Sequence, residues 1–319
     1  MGLGLSSRRQ ELGTLLRCSA LAAGIPWLFA YARRDAVAVN AAFDEVVVPL
    51  VDNLVGGQDR RRRLIARLRP TAVQVGLPLW GYASMTRTVF DPRLAALAGT
   101  FMRLYDDYFD HDADRNGTGE RLALLLAGKP FDPVTEHEAL LKELFVGIVR
   151  QLARSPDDPI FTVVNDMHDI QCRSRWQRTL AEIDSRLLAD ITVAKGGQAG
   201  LLLCGLIRPV PANEESLARD IGVVYQLLDD QADILDDRRR AIVTPATRGE
   251  TSIADVGRLM RTVARNLRRS YGRARARRLT GLFFVLFMGV LSRRWGVGVR
   301  TTKRVSTWRL LIEPVPFAE

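Results

Sequence analysis

Apolar residues recur three or four positions apart along most of the chain. In 134–155, VTEHEALLKELFVGIVRQLARS, residues Leu140, Leu141, Leu144, Ile148 and Leu152 share one face of a helix. The same spacing predicts helices over 92–108, 161–194, 214–237 and 251–278. Alternating strands with hairpin turns are hard to find, so the expected class is all-α. Proline and glycine interrupt the pattern at AGKPFDP (127–133), RSPDDP (154–159), IRPVPAN (207–213) and VTPATRGE (243–250), where helices should end. Roughly eight to ten helices in one bundle result.

Two runs are apolar on all sides. CSALAAGIPWLFAYA (18–32) is broken by Gly24 and Pro26, and GLFFVLFMGVL (281–291) is shorter still. A bilayer span takes about 20 apolar residues, so both are expected to be buried helix segments. The SSRRQEL stretch puts an arginine pair before an apolar run without a small-residue cleavage site, and MGLGLS fits a myristoylation pattern. Neither processing event is expected.

Composition adds little to the fold but narrows the chemistry. The chain has 319 residues, 47% hydrophobic and 26% charged, as expected of a soluble globular protein. Cys18, Cys172 and Cys204 lack the spacing of a disulfide framework or a zinc site, which fits a reducing, cytoplasmic compartment. The net charge of +10 is nearly all arginine, dense beyond Arg258. That tail reads as a solvated helix face, with attraction to an anionic membrane surface as the sharper alternative. Regularly interleaved aromatics and nucleic-acid motifs are lacking, so no nucleic-acid partner is expected.

Against this basic background stand two copies of Asp-Asp-x-x-Asp: Asp106, Asp107, Asp110, and Asp229, Asp230, Asp233. On a helix, residues three and four apart share a face, so each copy stacks like charges and destabilises its helix unless a cation sits among them. Both copies are set among apolar residues, unlike a solvated acidic face. Carboxylates without histidine or cysteine select hard cations, and Mg²⁺ characteristically takes one or two of them together with water and substrate phosphate. His111, His137 and His168 show no mutual spacing and receive no role.

With these motifs the chain resembles the all-trans prenyl diphosphate synthase and class I terpene synthase superfamily over roughly residues 60 to 245. The resemblance implies a single isoprenoid-synthase-type helical bundle around a central cavity, both motifs facing it, and three Mg²⁺ ions held with the substrate diphosphate. It divides the chain into an N-terminal helical segment (1–58), a catalytic bundle (59–250) and an arginine-rich helical segment packed on the same domain (251–319). After the first motif the family has Arg-Arg-Gly where this chain has Arg115, Asn116 and Gly117. Its second motif is matched by Tyr225, Gln226, Asp229, Asp230, Asp233 and Asp237, and its diphosphate-binding lysine by Lys195 in AKGGQAG. Of the groups that hold isopentenyl diphosphate in the family, Arg69 is present in IARLRP. Ala66 replaces the lysine, Gly99 replaces a histidine or glutamine, and Asn116 replaces the second arginine. A later lysine falls on Val243, with Arg238, Arg239 or Arg240 as substitutes.

The resemblance therefore implies Mg²⁺-dependent ionisation of one allylic prenyl diphosphate, with Asp106, Asp107, Asp110, Asp229, Asp230 and Asp233 as metal ligands. Arg115 and Lys195 would act on the departing diphosphate, and Phe101, Tyr105 and Tyr225 would wall the carbocation. Cyclisation or elimination follows. The second motif is of prenyltransferase type, and the usual terpene synthase metal motif is absent, NDMHDIQC (165–172) lacking its spacing. Condensation with isopentenyl diphosphate or another acceptor is the alternative function, and a noncatalytic prenyl-diphosphate-binding subunit the third. Peripheral membrane contact and homodimerisation are left open.

Overall fold

The computed structural model describes residues 5–112, 117–179 and 182–296, and these are helical, with no strand among them. The α-helices are α1 (Leu5–Cys18), α2 (Ile25–Val46), α3 (Val48–Leu54), α4 (Gln58–Thr86), α5 (Pro92–Asp112), α6 (Thr118–Leu126), α7 (Glu136–Leu152), α8 (Pro159–Ser174), α9 (Trp176–Thr179), α10 (Ser185–Ile207), α11 (Glu215–Arg239), α12 (Pro245–Arg248), α13 (Ile253–Tyr271) and α14 (Arg273–Trp295). Local chemistry fixes many of their starts. Thr135, Asp158 and Asp184 accept backbone N–H groups at the first turns of α7, α8 and α10, and Ser252 with Asp255 forms a reciprocal capping box on α13.

Two expected helices are divided. The stretch 161–194 breaks after Ser174, and its second half begins at Asp184 and runs on through the glycines to Ile207. The stretch 251–278 breaks at Gly272, whose φ of 81° lies in the region that favours glycine. The count therefore exceeds the expected eight to ten.

α13 shows how the arginine-rich region is used. Ile253, Val256, Met260, Val263, Leu267 and Tyr271 are buried along one stripe, while Arg258, Arg265 and Arg269 are exposed on the other side. α14 follows as an inner helix. Its apolar run buries Leu282, Phe283, Phe287, Val290 and Leu291, and along it the two main lobes of the core meet.

The N-terminal apolar run, expected to be a buried helix segment, buries one face only: Leu21, Leu28 and Tyr31 are buried, whereas Trp27 and Phe29 are exposed. Its helical character does not stop at Arg33 and Arg34 but continues through α2 into α3, so Arg8–Leu54 contains a window long and apolar enough to cross a membrane by length and composition. α10 passes the same test, but half of it is buried against other helices.

α10 and α11 pack backbone to backbone. A Cβ on Gly222 would collide with the Gly196 carbonyl oxygen and lie 2.6 Å from the Gly200 Cα; one on Gly196 would lie 2.8 Å from the Val223 Cα. These three positions tolerate no side chain because the two backbones touch there. Elsewhere α4 and α14 run antiparallel, with Leu279 against Gly81 and the Arg278 guanidinium donating to the Ser84 carbonyl at 3.0 Å. Arg293, fifteen residues beyond Arg278, lies roughly 22 Å along α14 at 1.5 Å per residue. There Arg293 meets Asp233 of α11.

Gly222→Ala should lose about 1–3 kcal/mol of stability in urea unfolding, because overpacking forces two backbones apart. Gly205→Ala, where the nearest atoms lie at an ordinary 3.5 Å, should be neutral or gain up to about 1 kcal/mol from helix propensity.

Candidate functional site

The second cluster is built on α11. Gln226, Asp230, Asp233 and Asp237 succeed one another at spacings of three and four, and Asp229 stands beside them. The close approach of α10 sets Lys195 among them: its charge acts on Asp229, Asp230 and Asp237 together. From α14, the Arg293 Nη1 lies 3.5 Å from Asp233 Oδ1.

Asp230 is the most enclosed of the four, at 6% exposure. The Gln226 amide donates to its Oδ1 at 2.8 Å, while its buried Oδ2 has no hydrogen-bond partner. Desolvation is the main cause that pushes its carboxyl up to about 7, with Asp229 and Asp237 adding repulsion against the opposing effects of Gln226 and Lys195. Asp229 is raised to about 6 by desolvation and by Asp233, partly offset by Lys195 and Arg293. By accessible surface, however, Asp229 is exposed, so the burial behind this rise is weaker than at Asp230. Asp237 is also raised to about 6, by desolvation and then by Asp233 and Asp229. Three carboxyls are thus held where negative charge is costly and positive charge is in short supply.

The first cluster is organised differently. Asp106 is exposed, whereas Asp107 is buried and ion-paired with Arg67 and, one turn back on its own helix, with Arg103 at 2.9 Å. The sequence groups Asp107 with the metal ligands; the fold engages it with two guanidinium groups instead. Asp110 follows Asp106 by one helical turn, and its side chain lies outside the described residues, as do Arg115 and Asn116.

The surroundings of that cluster are fixed by two buried networks. Tyr105 Oη and His168 Nδ1 are 2.8 Å apart, and His168 Nε2 is 2.8 Å from the Gly119 carbonyl oxygen. A carbonyl only accepts, so Nε2 carries the proton and Tyr105 donates to Nδ1. Tyr108 donates to Glu138 at 2.7 Å, and Arg121 also bonds that carboxylate, holding it down to about 2. Together these bonds tie α5 to α6, α7 and α8 on either side of the cluster. His168, without a role in the sequence reading, is therefore a structural anchor.

The aromatic candidates separate. Phe101 packs against Tyr105 and Phe145, each with ring centroids 5.9 Å apart, and lines an apolar cavity of about 60 Å³ between α5, α7, α8 and α10. That cavity is smaller than the chamber the resemblance implies. Tyr225 packs against both lobes of the core, edge-on to Phe283 at 5.3 Å, with its buried hydroxyl unpartnered. Arg69 is drawn away from the site: it pairs with Asp44 and lies over the Phe43 ring at 4.6 Å. At Gly99 a Cβ would come within 2.7 Å of the Ala72 Cα, so the contact of α4 with α5 leaves no room there for a histidine or glutamine.

Three cations of the site went unnoticed in the sequence. Arg103 was recognisable from its position four residues before Asp107. Arg67 and Arg293 reach their partners only through tertiary structure. Among the described residues no three carboxylate, histidine or cysteine groups form a cage for a metal on their own. The donor set of α11 still suits Mg²⁺, which needs few protein oxygens when a phosphate supplies others, and the unpartnered Asp230 Oδ2 is a ready acceptor. Comparison with family models, curated proteins and solved structures finds no match.

The raised carboxyls set the sign of a pH effect. Between about pH 4 and pH 7 the folded state binds more protons at these sites than the unfolded state, so their contribution to stability falls as pH rises and the penalty is complete above about pH 7. Asp230→Asn, which removes the charge, should therefore stabilise the metal-free protein at pH 8 by up to about 4 kcal/mol, the free energy that corresponds to a carboxyl raised from 3.8 to about 7. The gain should shrink toward pH 5. Equal denaturation midpoint shifts at both pH values would contradict the assignment.

Proposed function

We propose that the chain is a class I isoprenoid synthase-like enzyme that binds the diphosphate of one allylic prenyl diphosphate together with Mg²⁺ and promotes departure of the diphosphate. The observation that carries this reading is the desolvated carboxylate group of α11, with Asp230 Oδ2 unpartnered and Lys195 and Arg293 alongside. Carboxylates in this condition gain most from a hard cation, and the two basic side chains gain from a multivalent anion. A magnesium diphosphate supplies both. Bound Mg²⁺ would neutralise charge on the leaving group.

The chain's own residues do the remaining work. Asp229, Asp230 and Asp233 would hold the metal, and on this reading the exposed Asp106 of the first motif would add a carboxylate. Lys195 and Arg293 place fixed positive charge beside them, which stabilises developing negative charge without reorganisation. Gln226 orients Asp230 by its amide hydrogen bond. The rings of Phe101 and Tyr105 offer quadrupolar faces to a carbocation, and because His168 engages the Tyr105 hydroxyl, the ring is that side chain's useful part.

Chemistry on a single substrate is favoured over elongation. Arg69 is engaged by Asp44, Ala66 carries no charge and Gly99 has no space for a donor, so a second diphosphate would lack its anchors. The test is incubation with Mg²⁺ and geranyl, farnesyl or geranylgeranyl diphosphate, each with and without isopentenyl diphosphate. Hydrocarbon or alcohol plus released diphosphate from one substrate alone is the expected result, with at least about a hundredfold loss in Asp233→Ala and in Lys195→Met. Longer prenyl diphosphates formed only when isopentenyl diphosphate is present would replace this reading with condensation.

A further inference from the structure

The opposite end of the bundle carries a second site, independent of the aspartates. A pocket of about 280 Å³, close to the roughly 300 Å³ at which ligand sites begin, opens between α2, the end of α4 and the start of α14. Three guanidinium groups from three different parts of the fold line it: Arg34, Arg87 and Arg278. One carboxylate, Asp35, faces them and pairs with Arg34 at 3.3 Å. Arg87 and Arg278 have no carboxylate partner among the described residues, which leaves the pocket with two uncompensated positive charges.

The details favour a ligand over mere packing. Arg278 lies over the Trp27 ring at 4.8 Å and donates from Nη1 to the Ser84 carbonyl, yet its buried Nε finds no acceptor. Arg87 has φ 62°, the left-handed conformation at a helix end where glycine costs least and a side chain is strained. A helix C-terminus by itself repels anions. Here that repulsion is moderated, since the backbone N–H groups of Arg87 and Thr88 both donate to the Ala83 carbonyl and Arg278 covers that of Ser84. Three guanidinium groups line the hollow, the Arg34 side chain largely exposed at its rim, and such planar groups match the oxygens of a phosphate.

We propose that this pocket binds a phosphate group, borne either by a small soluble phosphate or by a lipid headgroup. Val89, exposed on its lip, and the partly exposed Trp27 supply apolar surface beside it. The two sources are separable by experiment. Metal-free full-length protein is titrated calorimetrically with inorganic phosphate and with inorganic diphosphate, and in a parallel arm sedimented with phosphatidylcholine vesicles with and without phosphatidic acid.

Saturable binding is expected in at least one arm, weakened about tenfold or more by Arg87→Gly and by Arg34→Gln and retained in Lys195→Met. Arg87→Gly keeps the left-handed backbone, so an unchanged melting midpoint shows that the fold is intact. A response in the soluble arm identifies a free phosphate, and a response confined to phosphatidic acid vesicles identifies a headgroup. Absence of saturable binding in both arms, binding that survives both arginine substitutions, or binding lost only in Lys195→Met would overturn the proposal.

Discussion

The contact of two helix backbones at Gly196, Gly200 and Gly222 is the constraint on which the rest of the site depends. Helix axes ordinarily stay about 8–10 Å apart because side chains intervene. Where glycines remove them, α10 and α11 touch, and the residue just before the seam, Lys195, is brought into the field of three aspartates. A single methyl group there would separate the helices and weaken the cation whose charge acts on Asp229, Asp230 and Asp237 together. Glycine in a helix interior is unfavourable by itself, so this arrangement exchanges local stability for placement.

The consequence is electrostatic. A buried carboxyl such as Asp230, raised to about 7, destabilises a protein that leaves it without a cation, and stability forgone in this way is a recurrent feature of binding sites. Contrast Asp107, which has two arginines, and Glu138, which has Arg121, Tyr108 and the Val134 N–H. Those carboxylates are satisfied by the protein itself. The α11 group is not, and on the function proposed above this difference marks it as the binding site. The arginine-lined pocket poses the inverse problem about 20 Å away, with excess positive charge.

Much of the fold could be read from periodicity. The all-helical class, the ends at 127–133, 154–159 and 207–213, and the solvated arginine face of α13 follow from spacing and from proline and glycine punctuation. The limits arose where tertiary contact overrode a local rule. Glycines in AKGGQAG argue against a helix, yet α10 runs through them because α11 needs the space. Arg69 looked like a ligand-binding arginine until Asp44, twenty-five residues earlier, was seen to engage it. Both Asp-Asp-x-x-Asp copies stood out in the sequence, but which carboxylates are satisfied and which are not depends on Arg67 and Arg293. Neither arginine announces its partner locally.

The claim that α11 holds carboxyls in want of a cation is tested most directly by their titration, followed through the ¹³C resonances of the aspartate carboxyl carbons. The account predicts at least one aspartate with a midpoint between about pH 6 and 7 in metal-free protein, absent in Asp230→Asn and moved downward when Mg²⁺ and inorganic diphosphate are added. Titration of every aspartate near pH 4, unchanged by Mg²⁺ and diphosphate, would contradict it.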